Sequence, residues 1–282
     1  MQIQWYPGHM NKAKNQIQDR LKLVDLVLEI RDARLPQSST NPVLEQIIKA
    51  KQRIIILNKA DLADPLMTQQ WLRDLQAQQQ MALALDAQHT NKLQVIQSAV
   101  QELMQAKIQK YQQSGVRNYK LRAMCIGIPN VGKSTILNKL VGKKVAVTGN
   151  KPGVTKNQNW LKTTSNLELL DTPGVLWPKI DDEQVGYNLA LTGAISDRLI
   201  PVQDLAVYAL EFWQHEYPDR LQTNYQLTEQ ELVLPPAKLL VYLTQKWTGN
   251  DDFERASRRI IQDIRQGLLG QYTLDRVQVN GE

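Results

Sequence analysis

One stretch of the chain decides its fold: Gly127-Ile128-Pro129-Asn130-Val131-Gly132-Lys133-Ser134. It matches the pattern G-x-x-x-x-G-K-[ST], in which backbone N–H groups can close around phosphates because the glycines carry no side chains. The stretch lies between the apolar run Leu121–Ile126, which predicts a strand, and a helical pattern over residues 132–140. The pattern requires this strand–loop–helix context, and the helix N-terminus adds partial positive charge. We therefore predict a phosphate-binding loop; a glycine-rich turn without a ligand is the alternative.

The loop supplies candidates for three roles. Lys133 would reach the β- and γ-phosphates and is a candidate catalytic residue, while the Ser134 hydroxyl would bind Mg²⁺. The residues of this loop that we expect to contact the nucleotide are Asn130, Val131, Gly132, Lys133, Ser134 and Thr135.

A second motif, Asn58-Lys59-Ala60-Asp61, follows an apolar run that predicts a buried strand. Asp61 can accept two hydrogen bonds, and guanine presents two donors side by side where adenine presents no such pair. An unpaired polar group in a buried site is costly, so this carboxylate would select guanine. Asn58 can meet acceptors of the base and brace the loops, and the Lys59 stem can lie along the purine. Alone, the motif could be a polar strand end with a helix cap; beside a phosphate loop, it favours GTP over ATP.

A third motif, Asp171-Thr172-Pro173-Gly174, follows another apolar run and has weight only beside the other two. Asp171 would hold Mg²⁺ through water, and the Gly174 N–H could contact the γ-phosphate. In the preceding segment 151–155, Thr155 would supply a second hydroxyl to the metal, although a plain turn is the alternative there. The predicted metal ligands are therefore Ser134, Thr155 and Asp171.

Composition sets the broad class of the protein. Its 282 residues, 42% hydrophobic and 22% charged, are ordinary for a globular chain of about two domains. A formal charge of +6 and a pI of about 9.2 favour a polyanionic partner such as RNA, although a solvated surface would give the same values. The one cysteine, Cys125, predicts a buried small side chain and a reducing compartment. Neither a membrane span nor a secretory signal is recognisable, so we expect a cytoplasmic protein.

Apolar runs rich in β-branched residues alternate with helical patterns as far as residue 171. This alternation predicts an α/β fold with a mostly parallel sheet and helices on both faces. One long helix is expected over residues 92–112. After Pro178 only helical patterns follow, and prolines interrupt them. We predict a nucleotide-binding domain at 1–178, with a short basic N-terminal extension, and a small all-helical domain at 179–282.

The order of the motifs is unusual, because the guanine motif ordinarily follows the phosphate loop and here precedes it. A compact domain tolerates such a circular permutation, since its ends can be joined and reopened at surface loops. This order, the opening Trp5-Tyr6-Pro7-Gly8-His9-Met10 and the run Asp171-Thr172-Pro173-Gly174-Val175-Leu176-Trp177-Pro178-Lys179 resemble the ribosome biogenesis GTPase A family over essentially the whole chain. The resemblance implies a circularly permuted GTPase domain that binds GTP or GDP with Mg²⁺, followed by a helical RNA-binding domain.

The resemblance also indicates that a loop after the next strand helps to bind the base. The matching residues are Asp86 and Ala87. The Ala87 N–H would contact the guanine oxygen, whereas Asp86 departs from the polar residue that is usual in the family. Both are assigned to the nucleotide site, and a simple strand end is the alternative for Asp86.

Hydrolysis requires a group that places the attacking water. Many GTPases use a Gln immediately after D-x-x-G, but Val175 stands there and cannot form the hydrogen bond. The resemblance implies that His9 replaces it; a turn that contacts RNA, or a cap on the following helix, is the alternative. It also implies that Asn130 binds K⁺ beside Mg²⁺, with a role in shaping the loop as the alternative.

The last helical pattern, over about residues 252–266, is amphipathic and basic. Its apolar face carries Phe253, Ala256, Ile260 and Ile264, and its other faces carry Arg255, Arg258, Arg259 and Arg265. A solvated face is the common meaning of such spacing. The resemblance favours contact with ribosomal RNA instead, together with a second basic group near the N-terminus: Lys12, Lys14, Arg20 and Lys22.

The resemblance thus implies a factor that binds the precursor of the large (50S) ribosomal subunit, promotes a late assembly step and leaves after GTP hydrolysis. We expect it to be monomeric when free. Two alternatives remain: a permuted GTPase that acts on another RNA or a signalling protein, and an RNA-binding module without turnover. The presence of Lys133, Ser134, Thr155 and Asp171 argues against the latter.

Overall fold

The computed structural model describes residues 3–4, 9–90, 93–116, 119–143, 160–163 and 165–277. Two compact units are present. The first contains Gln4–Lys179 together with the described residues from Asp275 onward, and the second contains Ile3 and Ile180–Leu274. The predicted helical domain, 179–282, included the residues from Asp275 onward. The structure groups those described residues with the first unit instead.

A mostly parallel sheet forms the centre of the first unit. Within the described residues, its strands lie in the order β4-β3-β2-β5-β7-β6, and only β6 is antiparallel to its neighbour. The predicted α/β fold is confirmed. The strands of the chain are β1 Ile3–Gln4, β2 Leu26–Asp32, β3 Gln52–Asn58, β4 Met81–Leu85, β5 Leu121–Ile126, β6 Trp160–Lys162, β7 Leu167–Asp171 and β8 Lys179–Ile180.

The helices of the first unit follow the predicted alternation with two differences. The helix expected from Asn11 begins at His9, as α1, and the long helix expected over 92–112 is divided at Met104, whose φ of −100° and ψ of 9° end one helix and begin the next. These helices are α1 His9–Leu21, α2 Pro42–Ile48, α3 Pro65–Ala77, α4 Gln94–Leu103, α5 Gln105–Gln113 and α6 Lys133–Val141.

Apolar side chains cover both faces of this sheet. On one face, residues of α1 and α2 pack on β2, β5 and β7, and Trp71 and Leu75 of α3 pack on β3. The alternate residues Leu28, Ile54 and Ile56 point to the opposite face and are fully buried. Because both faces are covered, the ligand-binding positions are restricted to the loops at the ends of the strands.

The second unit is built from helices, as predicted, and two short helices, α9 and α10, lacked a prediction. On α12, Ala256, Ile260 and Ile264 are buried, which confirms the predicted apolar face. The elements are α7 Glu183–Leu191, a 3₁₀ turn Asp197–Leu199, α8 Val202–Glu216, α9 Pro218–Tyr225, α10 Glu229–Leu232, α11 Pro236–Thr248 and α12 Phe253–Arg265.

Two smaller expectations can be compared with the structure. Cys125 is a free thiol and is fully buried in β5, and burial raises its pKa well above the ordinary value. The thiol therefore behaves as a small apolar side chain, as predicted. Among the described residues, no helix has the length and apolar character needed to cross a membrane.

Candidate nucleotide-binding site

The predicted motifs meet at one edge of the sheet. Asn58 ends β3, Asp171 ends β7, and the phosphate loop follows β5, so all three lie at the carboxyl ends of parallel strands. In open α/β sheets this edge is where ligands bind. The chain order of the motifs is altered, but all three lie at the same edge of the sheet.

Asn58 connects the guanine motif to two other loops. Its Nδ2 donates to the carbonyl oxygen of Val131 at 2.7 Å, and its Oδ1 accepts from the N–H of Ala87 at 3.0 Å. Its side chain is buried, with 2% of the residue exposed. The bracing role predicted for Asn58 thus has a geometric basis. The Ala87 N–H, which was expected to face the guanine oxygen, is engaged by Asn58 in this structure.

The glycines of the phosphate loop are required by its backbone conformation. Gly132 has φ 96°, and a Cβ added there would lie 2.2 Å from Nδ2 of Asn58. Asn130 also has a positive φ, 63°, a conformation that Asn tolerates better than most residues. This geometry is consistent with Asn130 as a loop-forming residue, and binding of K⁺ by Asn130 stays a prediction.

Lys133 lies at the start of α6 with its ammonium group folded back over the loop. Nζ donates to the carbonyl oxygens of Gly127 and Ile128 at 3.1 and 2.7 Å. Burial lowers the pKa of Lys133 to about 8, although the nearby charge of Asp171 opposes that shift. Among the described residues, the hydrogen bonds of this buried ammonium go to neutral carbonyls. Such a group is suited to an anionic ligand, since phosphate charge would compensate it.

Asp171 has the character of a carboxylate that faces a ligand. Burial raises its pKa to about 6, against the opposing charge of Lys133. Its Oδ1 is buried and has no hydrogen-bond partner among the described residues. Such groups are rare in proteins and need an explanation. A hydrated Mg²⁺ would supply the missing interaction. Ser134 is half-buried and lies in α6, which follows β5, the strand beside β7. Asp171 and Ser134 therefore fit the predicted metal site. Thr155, the third predicted ligand, lies outside the described residues.

The segment after Asp171 packs against the phosphate loop. A Cβ on Gly174 would lie 2.9 Å from backbone atoms of Pro129 and 3.1 Å from Nζ of Lys133. The following residue, Val175, is 2% exposed, and its side chain belongs to the apolar cluster beneath α1 and α2. Its side chain therefore points into the core. His9, the predicted replacement, begins α1, but its side chain lies outside the described part of the chain.

Asp61 and Asp86 lie close together, with His89 between them. Nδ1 of His89 is 2.8 Å from Oδ2 of Asp86 and 3.6 Å from Oδ2 of Asp61. The pKa of Asp61 is raised, first by burial and then by the charge of Asp86, while His89 and Arg34 act in the opposite direction. His89 had no role in the sequence prediction.

The sequence also gave no indication of a buried ionic group beneath the guanine motif. Asp32, at the end of β2, binds Arg34 at 2.8 Å and Nζ of Lys59 at 2.8 Å. Burial alone would raise the pKa of Asp32, but the charges and hydrogen bonds of Arg34 and Lys59 prevail and hold it well below its ordinary value. Lys59 is thereby anchored beside the proposed base position. Alternating charges at the end of an apolar strand, from Glu29 to Arg34, are the signal that could have revealed this group.

Comparison with known proteins shows the family of this chain. The curated ribosome biogenesis GTPase A of Priestia megaterium is 46% identical over 98% of this chain and 97% of its own length. The chain belongs to the ribosome biogenesis GTPase A family. A family model described as "50S ribosome-binding GTPase" matches residues 122–244, a range that begins at the phosphate loop strand and leaves out the guanine motif. Membership in the ribosome biogenesis GTPase A family establishes a GTP hydrolase that uses a guanine nucleotide.

Two solved structures share the fold of this chain. A GDP-bound structure of TM YlqF has a TM-score of 0.65 and 25% identity, and covers 93% of this chain and 98% of that chain. GNP-bound YlqF from T. maritima has a TM-score of 0.63 and 25% identity, with coverages of 94% and 98%. The circularly permuted GTPase fold is therefore shared over nearly the whole chain.

Proposed function

We propose that this chain is a GTP-driven assembly factor that binds the precursor of the large ribosomal subunit, promotes a late step of its assembly and leaves after hydrolysis. The observation that carries the proposal is the match of residues 122–244 to the model described as "50S ribosome-binding GTPase". Relatives named for ribosome biogenesis align over almost the full length of the chain, which supports the same role. We further propose that the protein is cytoplasmic and monomeric when free.

Within the nucleotide site, we assign Asp61 to guanine and Lys133 to the phosphates. The four-residue guanine motif with Asp86 and Ala87 would surround the base, and residues Asn130–Thr135 and Gly174 the phosphates. When bound, Mg²⁺ would bridge phosphate oxygens and offset their charge; Ser134, Thr155 and Asp171 are the residues that would hold it. We keep His9 as the candidate that places the attacking water, and Asn130 as the candidate ligand of K⁺.

An exposed basic surface on α12 supports binding to an RNA backbone. We define this α12 surface as Arg255, Arg258 and Arg259, all exposed. Arg258 pairs with Glu254 at 2.7 Å, and both side chains are about 60% exposed, so phosphate can replace the glutamate at small cost. The Arg259 guanidinium lies 4.2 Å from the centre of the Trp247 ring, which holds it in place.

Unlike the other three arginines of the predicted basic face, Arg265 binds backbone carbonyl groups of a neighbouring helix. It donates from Nε to the carbonyl oxygen of Leu191 at 3.0 Å and from Nη2 to that of Ala190 at 2.6 Å. These carbonyls end α7, so Arg265 caps that helix. We therefore leave it out of the surface proposed to contact RNA.

Sedimentation with large ribosomal subunits tests the proposed function. The protein should pellet with subunits in the presence of a non-hydrolysable GTP analogue and be released with GDP, and the subunits should stimulate GTP turnover. The double variant Arg255→Glu/Arg258→Glu should lose binding by tenfold or more as salt-sensitive phosphate contacts disappear. Failure of the wild-type protein to pellet with subunits, combined with normal GTP turnover, would favour action on another RNA or on a signalling protein.

A charge-matched control separates a specific surface from general attraction. The variant Lys49→Glu/Arg73→Glu makes the same change in net charge at exposed positions of the first unit. It should bind subunits like the wild type if the α12 surface is the contact. Equal losses in both double variants would mean that net charge alone drives the association.

A further inference from the structure

The loop after β4 contains an aspartate whose acceptor atoms are used within the loop itself. Oδ1 of Asp86 accepts from the N–H groups of Gln88 and His89 at 2.8 and 3.0 Å. Oδ2 faces Nδ1 of His89 at 2.8 Å. Asp86 is thus the turn-forming residue of its own loop, in the way that Asp commonly closes a turn on the backbone two residues ahead.

This loop is held in place from the phosphate-binding side of the site. Lys139 of α6 donates from Nζ to the carbonyl oxygens of Gln88 and Thr90 at 2.8 and 2.7 Å. At the start of the loop, the Ala87 N–H is bound by Asn58. The position of His89 relative to Asp61 is therefore set by two anchors, one on α6 and one on the guanine motif.

A second carboxylate beside the base-recognising Asp61 poses an electrostatic problem. Two neighbouring carboxylates disfavour each other's ionised form, and only an ionised Asp61 accepts from both N1–H and N2–H₂ of guanine. Among the described residues, the ionisable groups that face Asp61 are Asp86 and His89 from the β4 loop and Arg34 from the loop after β2. Arg34 already serves Asp32 through two hydrogen bonds, so His89 is the group placed to offset Asp86.

We propose that His89 is a positioning residue for guanine recognition, which acts by binding Asp86 and so preserves Asp61 as a double hydrogen-bond acceptor. The inference rests on the proposed assignment of Asp61 to guanine. The side chain of His89 is 64% exposed, and its contribution should have the size that exposed side-chain pairs usually have, about threefold to fivefold in affinity.

The relative affinity for GDP and IDP measures this effect. Inosine lacks the 2-amino group, so the ratio of the two dissociation constants reports the second hydrogen bond to Asp61 and is insensitive to a general loss of folded protein. In the full-length protein, His89→Ala should lower this preference for GDP about threefold to fivefold. The matched control is Gln88→Ala, because that side chain is exposed and lies in the same loop, and Gln88 binds Asp86 through its backbone N–H, which the substitution keeps.

Rescue distinguishes electrostatic positioning from simple support of the loop. Asp86→Asn removes the charge and keeps an oxygen that can accept from the Gln88 and His89 amides. The double variant Asp86→Asn/His89→Ala should therefore recover the wild-type ratio. An unchanged ratio in His89→Ala, or a loss that Asp86→Asn fails to recover, would overturn the inference.

A third variant tells failure of this inference from failure of the proposed site. Asp61→Ala should remove most of the preference for GDP over IDP. If Asp61→Ala retains the wild-type ratio, the assignment of Asp61 to guanine is wrong, and the role of His89 falls with it. If Asp61→Ala loses the preference while His89→Ala keeps it, only the role of His89 is refuted.

Discussion

Nδ2 of Asn58 lies 2.7 Å from the carbonyl oxygen of Val131, 73 residues later in the chain. The same side chain accepts from the Ala87 N–H, so one buried amide holds three loops of the nucleotide site together. Circular permutation has moved the ends of the chain and reversed the order of the motifs. The contact between guanine motif and phosphate loop depends on their places in the sheet and is therefore independent of that order.

Replacing Asn58 with Ala should weaken nucleotide binding. The change leaves the Val131 carbonyl and the Ala87 amide without partners, at about 1–3 kcal/mol for each buried group. We expect the dissociation constant for GDP to rise by about tenfold to a hundredfold, measured by fluorescence titration. Gln69→Ala, at an exposed position of α3, is the control. Wild-type affinity in Asn58→Ala would contradict the bracing role.

Removal of the buried charge in Asp32→Asn should destabilise the fold. It leaves Arg34, which is 4% exposed, without its anionic partner, and loss of one member of a buried pair costs about 3–5 kcal/mol. Urea unfolding at pH 7 measures the effect. The pKa of Asp32 is lower in the folded protein than its ordinary value of about 4. The stabilisation of the fold by ionised Asp32 is therefore present above that ordinary value and is lost as the pH falls. The difference in the free energy of unfolding between Asp32→Asn and the wild type should therefore become smaller in acid.

The comparison for Asp32 is Lys120→Gln, which breaks an exposed pair with Glu168 in the same unit. The Lys120 side chain is 45% exposed, and such pairs contribute about 0–1 kcal/mol. Similar losses of stability in the two variants would mean that the Asp32 group has no special structural importance.

Introducing the missing glutamine as Val175→Gln should not increase GTP turnover. The Val175 side chain is buried in the apolar cluster under α1 and α2, so a glutamine there would place an amide in the core. Burying an unpaired amide costs about 1–3 kcal/mol in protein mutants, and the melting temperature should fall. An increase in intrinsic turnover with unchanged stability would show that this residue can reach the attacking water.

Nucleotide binding should weaken above about pH 8. In the free protein the pKa of Lys133 is lowered to about 8, mainly by burial, and bound phosphates would raise it again. Below that pH, Lys133 is already protonated in the free protein, so the affinity for nucleotide is constant. Above it, Lys133 must take up a proton when the nucleotide binds, and the affinity falls by up to about tenfold per pH unit. Calorimetry of Mg²⁺-free GDP binding in two buffers of different ionisation enthalpy measures this proton. Lys133→Met should bind weakly without the pH-dependent limb, and a wild-type affinity that is flat from pH 7 to 9 would contradict the prediction.

Local sequence was sufficient for the motifs and for most strands. Leu121–Ile126 is both the predicted and the observed strand, because a short, mostly apolar run that ends at the glycine loop favours a buried strand. Asn58 was placed correctly at the end of a strand and Lys133 at the beginning of a helix, since the local context of each motif is encoded within a few residues of it.

Contacts that join distant residues could not be predicted in this way. Asp275 accepts from the N–H of Gln37 at 2.7 Å and from the N–H of Ser38 at 2.6 Å, and its carbonyl accepts from Nε1 of Trp71. These residues are more than 200 positions from Asp275 and form no recognisable motif together. The sequence accordingly placed Asp275 with the helical domain. The division of the long helix at Met104 was not predicted either, because no proline or glycine marks it.

In the proposed nucleotide site, one carboxylate pairs with guanine and one buried lysine with phosphates. Calorimetric titration of the purified, nucleotide-free protein with GDP and with ADP, each with Mg²⁺, tests it most directly. We predict strong binding of GDP and a loss of at least about a hundredfold for ADP, since adenine leaves Asp61 without its donors. Equal affinity for the two nucleotides, or binding of neither, would contradict the account.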